Sequence, residues 1–327
     1  MSADITIEVL SPGLARSGFD VVVTLPTFRR PALLAETLDS LVAQRTARRM
    51  AVIVMDNDAE RREGVAAARP YFEDGRLAGL VIIAHERGNC SAYNAGWTTA
   101  LDRFDAFGYL AVIDDDERAV PEWIEALCRT SDTLDADIVG GPQVPVFSDP
   151  ARAGLADHPV FSPPYRRTGP VPALYSSGNL LIRRSVLADA GRPFLDTAFN
   201  FIGGGDSDFL SRSARKGAHL AWCQEAPVME IVPERRTKPD WIRARALRNG
   251  QISTLVERKR RAGEPLGRGR VLAHSLALLA ASPLRSAARL LEGGSVALAT
   301  YPMLIAAGRM MAEFGQVHEQ YRQPEKN

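Results

Sequence analysis

Cysteine is scarce: Cys90, Cys128 and Cys223 are the only three, far apart and without a CxxC pair. That usage supports neither a disulfide framework nor a zinc site, and it points to a reducing compartment. Net charge is nearly absent too, +1 from 40 basic and 39 acidic residues. With no field of one sign, simple electrostatic binding of nucleic acid is excluded, although basic residues gather toward the C-terminus. No apolar run is long enough to cross a bilayer without a charge or a helix breaker. The opening MSADITIEVLSPG lacks the basic start and long apolar core of a signal peptide. The expectation is a cytoplasmic protein. Glycine loops that cradle phosphates are missing as well: neither GxGxxG nor GxxxxGK(S/T) follows the first apolar run at Leu25. A diphosphate bound here would need side chains and a metal to neutralise it.

What the 327 residues do contain is ordinary globular material, 46% hydrophobic and 24% charged. That suffices for one large α/β domain and an accessory region. The most informative stretch is Tyr109 to Arg118, YLAVIDDDER, an apolar run that ends on three aspartates and a glutamate. Such a run reads as a strand buried on both faces. Its carboxylates repel one another unless a cation sits among them. Similar runs are DVVVTL (Asp20 to Leu25), AVIVM (Ala51 to Met55) and LVIIA (Leu80 to Ala84). Between them, PALLAETLDSLVAQ, with Pro31 at its first position, and Ser91 to Ala100 have helical spacing. The alternation predicts a mostly parallel, doubly wound sheet that binds ligands beyond the carboxyl ends of its strands. The polar residues at those ends, Thr27, Asp56, Glu86, Arg87, Asp114 and Asp116, would converge on one cleft.

Further along, Ile138 to Gly141, Tyr175 to Arg183, His219 to Cys223 and Val228 to Val232 have strand character, and residues 145–172 read as a long loop. Phe199 to Arg212, FNFIGGGDSDFLSR, sets three glycines before Asp206-Ser207-Asp208, which begin a helix. Taken alone, this is an aspartate N-cap at a glycine turn, and YLAVIDDDER is a solvated turn. Convergence on one cleft is what favours a ligand site. A basic helix is expected over Pro239 to Arg260. Beyond it lie two apolar segments, VLAHSLALLAAS and VALATYPMLIAAG, separated by Pro283, Arg285, Arg289 and Gly293-Gly294. Both read as too short or too broken to span a membrane. Two fates stay open for them, an amphipathic seat in a membrane interface or packing on the catalytic domain or a second subunit. The domains expected are 1–260 and a helical extension, 261–327. The five histidines are scattered and read as structural or surface residues.

In chain order, VVVTLPTFRRPALLAETLDSL, VIVMDNDA, ERGNCSAYNAG, VIDDDE and GGGDSDFLSR resemble the motif blocks of inverting GT-A glycosyltransferases of family two. The likeness is to bacterial exopolysaccharide enzymes of the succinoglycan type. Each block is weak alone; their order and spacing over roughly Asp20 to Gly250 carry the resemblance. It implies a GT-A (Rossmann-like) fold, a mostly parallel central sheet flanked by helices, with a C-terminal helical extension. It implies donor contacts from Pro26, Thr27, Arg29 and Asp56, and from Arg87 and Asn94 near the phosphates. Asp114 and Asp116 would hold Mg2+ or Mn2+ against the diphosphate, with Asp116 the more direct ligand. Asp115 would stand on the donor side, facing solvent or the neighbouring loop. Asp206 falls at the catalytic base, Gly204 and Gly205 on the acceptor side, and Asp208 in an orienting or capping role. The chain departs from the pattern at Glu86, where Asn is usual, Tyr93, where Arg is usual, and Gly205, where Glu is usual. Glu230 stands where some relatives place a metal-binding His.

The function implied is transfer of a sugar, with inversion, from a nucleotide sugar (UDP-linked by family habit) to a glycan or lipid-linked oligosaccharide in cell-surface polysaccharide synthesis. The implied partners are that donor, that acceptor and a peripheral contact with the inner membrane, and no nucleic acid. Two alternatives are weighed against it. A sugar-phosphate nucleotidyltransferase would carry a GxGTR-type loop where PTFRRP stands. A lapsed carbohydrate-binding scaffold would have no reason to keep Asp114, Asp116 and Asp206.

Overall fold

The computed structural model describes residues 5–319 and 322; the outermost residues of both expected domains lie outside the described residues. The chain runs β1 (Ile5–Leu10), β2 (Val21–Thr27), α1 (Pro31–Val42), β3 (Met50–Asp56), α2 (Glu63–Glu73), β4 (Gly79–Ala84), α3 (Asn89–Arg103) and β5 (Tyr109–Ile113). It continues through β6 (Glu117–Ala119), α4 (Trp123–Leu134), β7 (Ile138–Gly140), β8 (Gln143–Phe147), β9 (Gly169–Pro170), β10 (Asn179–Arg183), α5 (Arg184–Ala190) and α6 (Gly205–Arg215). After β11 (Leu220–Trp222) and β12 (Val228–Val232) come α7 (Pro239–Arg260), α8 (Gly267–Leu291) and α9 (Val296–Glu313). The residues group into two compact units. One takes the chain up to Val144, then Tyr165–Asn200 and Gly205–Glu230; the other takes Pro145–Pro164, Phe201–Gly204 and Ile231 onward.

The first unit is built on a sheet of order β1-β4-β3-β2-β5-β10-β7-β11-β9. Its centre, β4-β3-β2-β5, is parallel, while β1 and β10 flank it antiparallel. Val21 to Val23, Val52 to Val54 and Leu110 to Ile113 have no measurable exposure, as strands covered on both faces require. Each such side chain contributes about 1.5–3 kcal/mol by leaving water. Helix α1 covers one face with Leu34, Leu38 and Leu41, and α2 adds Val65, Ala68 and Phe72. On α3, Trp97 packs on Phe194 and Phe209 at ring-centroid distances of 5.7 and 5.1 Å. The strand order reverses between β2 and β5, which grow outward from the centre in opposite directions. Their carboxyl ends flank the crevice where such folds bind ligands.

Several elements differ from expectation. β1 pairs with β4 although its ITIEVL alternates weakly. α2 forms around an internal Pro70. The expected loop 145–172 includes most of β8, a 3-10 turn at Pro150–Leu155 and β9. β10 begins only at Asn179, so Tyr175 to Gly178 form a loop before it.

The second unit is dominated by α7, α8 and α9. α7 and α9 meet backbone to backbone: a Cβ added at Gly308 would lie 2.0 Å from the Leu247 carbonyl oxygen. Beside this contact Arg309, 2% exposed, donates to Glu257 Oε2 at 2.7 Å, Ser253 Oγ at 2.7 Å and Ser275 Oγ at 3.1 Å. Burial alone would raise the Glu257 carboxyl; hydrogen bonds from Arg309, His274 and Arg261 overcome it and hold the group down to about 2. The break expected at Pro283 does not occur. α8 runs unbroken through it for 25 residues, and by length and composition it is long and apolar enough to cross a membrane.

The Glu257 carboxyl is ionised more readily in the fold than at its usual 4.5, so its stabilisation is complete above that pH and is lost as pH falls toward 2. Removing its buried partner should cost more: Arg309→Ala leaves Glu257 to the more exposed Arg260, Arg261 and His274 and should lower unfolding free energy by about 3 kcal/mol. Urea denaturation at neutral pH followed through the helical signal measures this, and an unchanged midpoint would contradict the pairing.

Candidate active site

Strands β2 and β5 are registered from Val21 opposite Tyr109 to Thr24 opposite Val112, after which they part. Into that gap β5 delivers Asp114, Asp115 and Asp116 before the chain turns into β6. Asp115 is buried rather than solvent-facing: its Oδ2 accepts from Thr27 Oγ1 at 2.8 Å and Phe28 N at 3.4 Å. Arg30 Nη1 then bridges Asp115 Oδ1 at 3.1 Å and Asp116 Oδ2 at 3.0 Å. Asp114 accepts a short hydrogen bond from the fully buried Tyr93 hydroxyl. Its backbone N–H donates to Glu117 Oε2 at 2.8 Å. Glu117 is itself buried, accepts from Gln143, and faces Glu230 across the β6–β12 pair.

This is an excess of negative charge out of water. Burial and then Asp116 push the Asp114 carboxyl up to about 7. Burial pushes Asp115 up to about 6, against the pull of Arg30. Glu117 is driven well above the usual range by burial and by Asp114. The Tyr93 phenol is raised by burial and by the same aspartate. The Arg30 guanidinium feels all three aspartates and carries a single positive charge against them, so the donor set suits a divalent cation. Among the described residues no three His, Cys, Asp or Glu side chains are grouped to hold a metal by themselves. An ion held by one or two of these carboxylates would complete its shell with phosphate and water, the habit of Mg2+.

The two arginines after Thr27 point to different partners because Arg29 has a left-handed backbone, φ 55°. Arg29 Nε meets Asp58 Oδ2 at 2.5 Å, while Arg30 turns to the aspartate triplet. The Phe28 ring has the Arg29 and Arg87 guanidiniums over it at 4.8 and 5.1 Å, a cationic and aromatic platform. Pro26 lies within β2 opposite Met55, and Thr27 lies opposite Asp56. The Asp56 carboxylate is engaged by backbone, Oδ1 by Asp58 N at 3.0 Å and Oδ2 by Val65 N at 2.9 Å, so it pins the start of α2. Asn94 is engaged likewise, exchanging two 2.8 Å bonds with the Leu195 backbone. Glu86 is exposed, and its carbonyl accepts from Asn57.

Asp206 opens α6. Its Oδ2 accepts from Ser177 N at 3.1 Å and Ser177 Oγ at 3.5 Å, and its Oδ1 accepts from Ser207 N at 2.7 Å. The next residue along the Ser177 loop is Gly178, where an added Cβ would lie 3.1 Å from Asp114 Oδ2. Thus a short loop joins Asp206 to the aspartate triplet. Asp208, by contrast, is 2% exposed and paired with Arg212 at 2.9 Å. Gly205 packs so closely on Cys90 that a Cβ would sit 2.4 Å from its sulfur, and Gly204 has φ +95°, a region glycine adopts freely. Sequence reasoning missed Arg30, Ser177 and Glu117 as site residues. A cation was expected among the aspartates, and the arginine pair behind the first strand was the signal for it; nothing marks Ser177.

A parallel sheet with an acidic cluster at its switch point and a carboxylate at a nearby helix start defines the GT-A class of glycosyltransferase. Residues 22–191 match the model of Glycosyl transferase family 2, and the chain belongs to that family. The succinoglycan biosynthesis protein ExoM of Rhizobium meliloti is 34% identical over 233 residues, 69% of this chain and 71% of that protein. Among solved structures, the Pyrobaculum calidifontis mannosyltransferase PcManGT in complex with GDP-Man and Mn2+ aligns over 92% of this chain and 89% of its own, with TM-score 0.57 and 19% identity. The S. aureus TarS 1-349 complex with UDP-GlcNAc aligns over 91% and 92%, with TM-score 0.51 and 13% identity. At those identities the structures speak for the fold alone.

An aspartate whose folded pKa is raised from 3.8 to about 7 favours the neutral form, so its contribution is present below pH 3.8 and lost as pH rises to about 7. Asp114→Asn mimics the neutral form. It should raise the stability of the ligand-free chain above pH 7 by on the order of 1–2 kcal/mol, with the gain vanishing in acid. Thermal melts across pH measure this; a loss of stability at pH 8 would contradict the charge excess.

Proposed function

We propose that this family 2 enzyme moves a sugar from a nucleotide-sugar donor, UDP-linked, to a glycan or lipid-linked oligosaccharide at the cytoplasmic face of the membrane. The product would enter cell-surface polysaccharide. The observation that carries the reading is the Ser177–Gly178 loop, which holds Asp206 and borders Asp114. Leaving-group and acceptor functions then lie side by side within one unit.

Asp116 and Asp114 are the residues that would hold Mg2+ or Mn2+. When bound, the ion neutralises charge growing on the departing nucleoside diphosphate. Arg30, already 3.0 Å from Asp116, adds a guanidinium suited to phosphate oxygens. The Phe28 platform with Arg29 and Arg87 serves the nucleotide end. Asp56, Asn57 and Asn94 act one step back, shaping the loops through backbone bonds. Tyr93 and Glu117 orient Asp114 from either side. Asp206 takes the acceptor hydroxyl's proton as that oxygen attacks the anomeric carbon. Ser177 N–H and Oγ–H hold one of its oxygens in place. Asp208 is buried against Arg212 and positions the helix start. A single base and a single displacement give inversion.

Asp206→Asn should lower kcat by about a hundredfold or more while leaving donor affinity nearly unchanged, and Asp208→Asn should retain most turnover. An α-linked donor should give a β-glycoside, read from the anomeric proton coupling of the product. Full turnover in Asp206→Asn with loss in Asp208→Asn would reverse the roles, and retained configuration would overturn the single-displacement scheme.

A further inference from the structure

The helix α8 wears its polarity inside out. Its buried positions are Gly267, Val271, Ser275, Ser282 and Ser286, whereas Leu272, Leu276, Leu279 and Leu284 are 40–76% exposed. Leu272, Leu276 and Leu279 recur at helical spacing and so share a face. The inner face is polar in fact as well as in composition: Ser275 Oγ donates to Glu313 Oε1 at 3.1 Å and accepts from Arg309 Nε at 3.1 Å. The neighbouring α9 repeats the scheme. It buries Ala299, Ala306, Gly308 and Ala312 around the ion-paired Arg309, and exposes Val296 and Met303. Small residues turned inward and large apolar residues turned outward are how helices pack when their surroundings are apolar. In water the hydrophobic effect would select the reverse.

The charge pattern indicates what those surroundings are. From Gly267 to Leu291 there is no acidic residue, and the arginines stand only near the ends, Arg268 and Arg270 before the leucines and Arg285 and Arg289 after them. Arg268 and Arg285 are exposed. An apolar stripe beside exposed Arg268, on a helix with several arginines and no acid, matches an acyl boundary beneath anionic headgroups. Spanning is the poorer match despite the length of the helix, because the ionised pair Glu257–Arg309 and Glu313 lie directly behind its inner face.

We propose that the outward face of α8 that carries Leu272, Leu276 and Leu279, with exposed Arg268 one turn before them, is a docking surface that lies in the interface of an anionic lipid bilayer. This deepens the placement at the membrane given above and stands apart from the transfer chemistry. The test is flotation of the full chain with vesicles of phosphatidylcholine alone or with added phosphatidylglycerol. The protein should float with the anionic vesicles, less so at high salt. Leu276→Glu combined with Leu279→Glu should reduce binding by about tenfold or more. Arg268→Glu should weaken the preference for anionic lipid. All three side chains are exposed, so melting temperature and metal-dependent donor turnover should stay as in the parent chain. Leu276→Trp should shift its emission to the blue on anionic vesicles. Failure to float with either vesicle would overturn the proposal while leaving the transfer reaction untouched. So would a dimer in vesicle-free buffer that the paired Leu276 and Leu279 substitutions dissolve.

Discussion

Asp114, Asp115 and Asp116 stand in the gap between β2 and β5 with one guanidinium, Arg30, bridging two of them. Glu117 adds a further buried acid, and the half-buried Glu230 faces it. Like charges at such distances interact strongly when water is excluded, and the raised carboxyls of Asp114 and Asp115 record that cost. A fold tolerates such a cluster when the neighbouring structure over-determines it. Here the flanking parallel strands are wholly buried, and Tyr93, Thr27 and the β6 turn each hold one of the acids by a hydrogen bond. On the proposed function, the same carboxylates would hold a cation and, through it, a diphosphate.

Much of the surrounding machinery follows from that constraint. The chain sends Arg29 and Arg30 apart by a left-handed residue, one toward Asp58 and one toward the triplet. Asp56, Asn57 and Asn94 spend their hydrogen bonds on backbone, so the loops around the cleft are held without occupying it. Asp206 has a different environment. It is half-buried and held by Ser177 and by the backbone of its own helix start, whereas Asp208 is sealed against the Arg212 guanidinium. Two aspartates two residues apart thus receive distinct surroundings from one turn of helix.

The parts legible in the sequence were those written in continuous apolar runs with clear ends. β5, β12 and α7 begin and end where the residue pattern places them. The triplet at the end of β5 was legible for the same reason, since an abrupt change from YLAVI to DDD has few explanations in a buried sheet. β1 was hidden because a short alternating edge strand carries little signal, and α2 because Pro70 interrupts its pattern while its start is pinned from a distance by Asp56. α8 was read as broken at Pro283, yet the helix passes through it. Arg30 and Ser177 could not be assigned by spacing, because one depends on the backbone angle at Arg29 and the other on where an antiparallel strand begins.

The most direct test is calorimetric titration of uridine diphosphate into the ligand-free chain with and without Mn2+. If the acidic cluster is a clamp for a metal-bound diphosphate, binding should require the ion and should disappear in Asp116→Ala, with the fold intact. Equal binding in the presence of chelator, or undiminished Mn2+-dependent binding in Asp116→Ala, would contradict it.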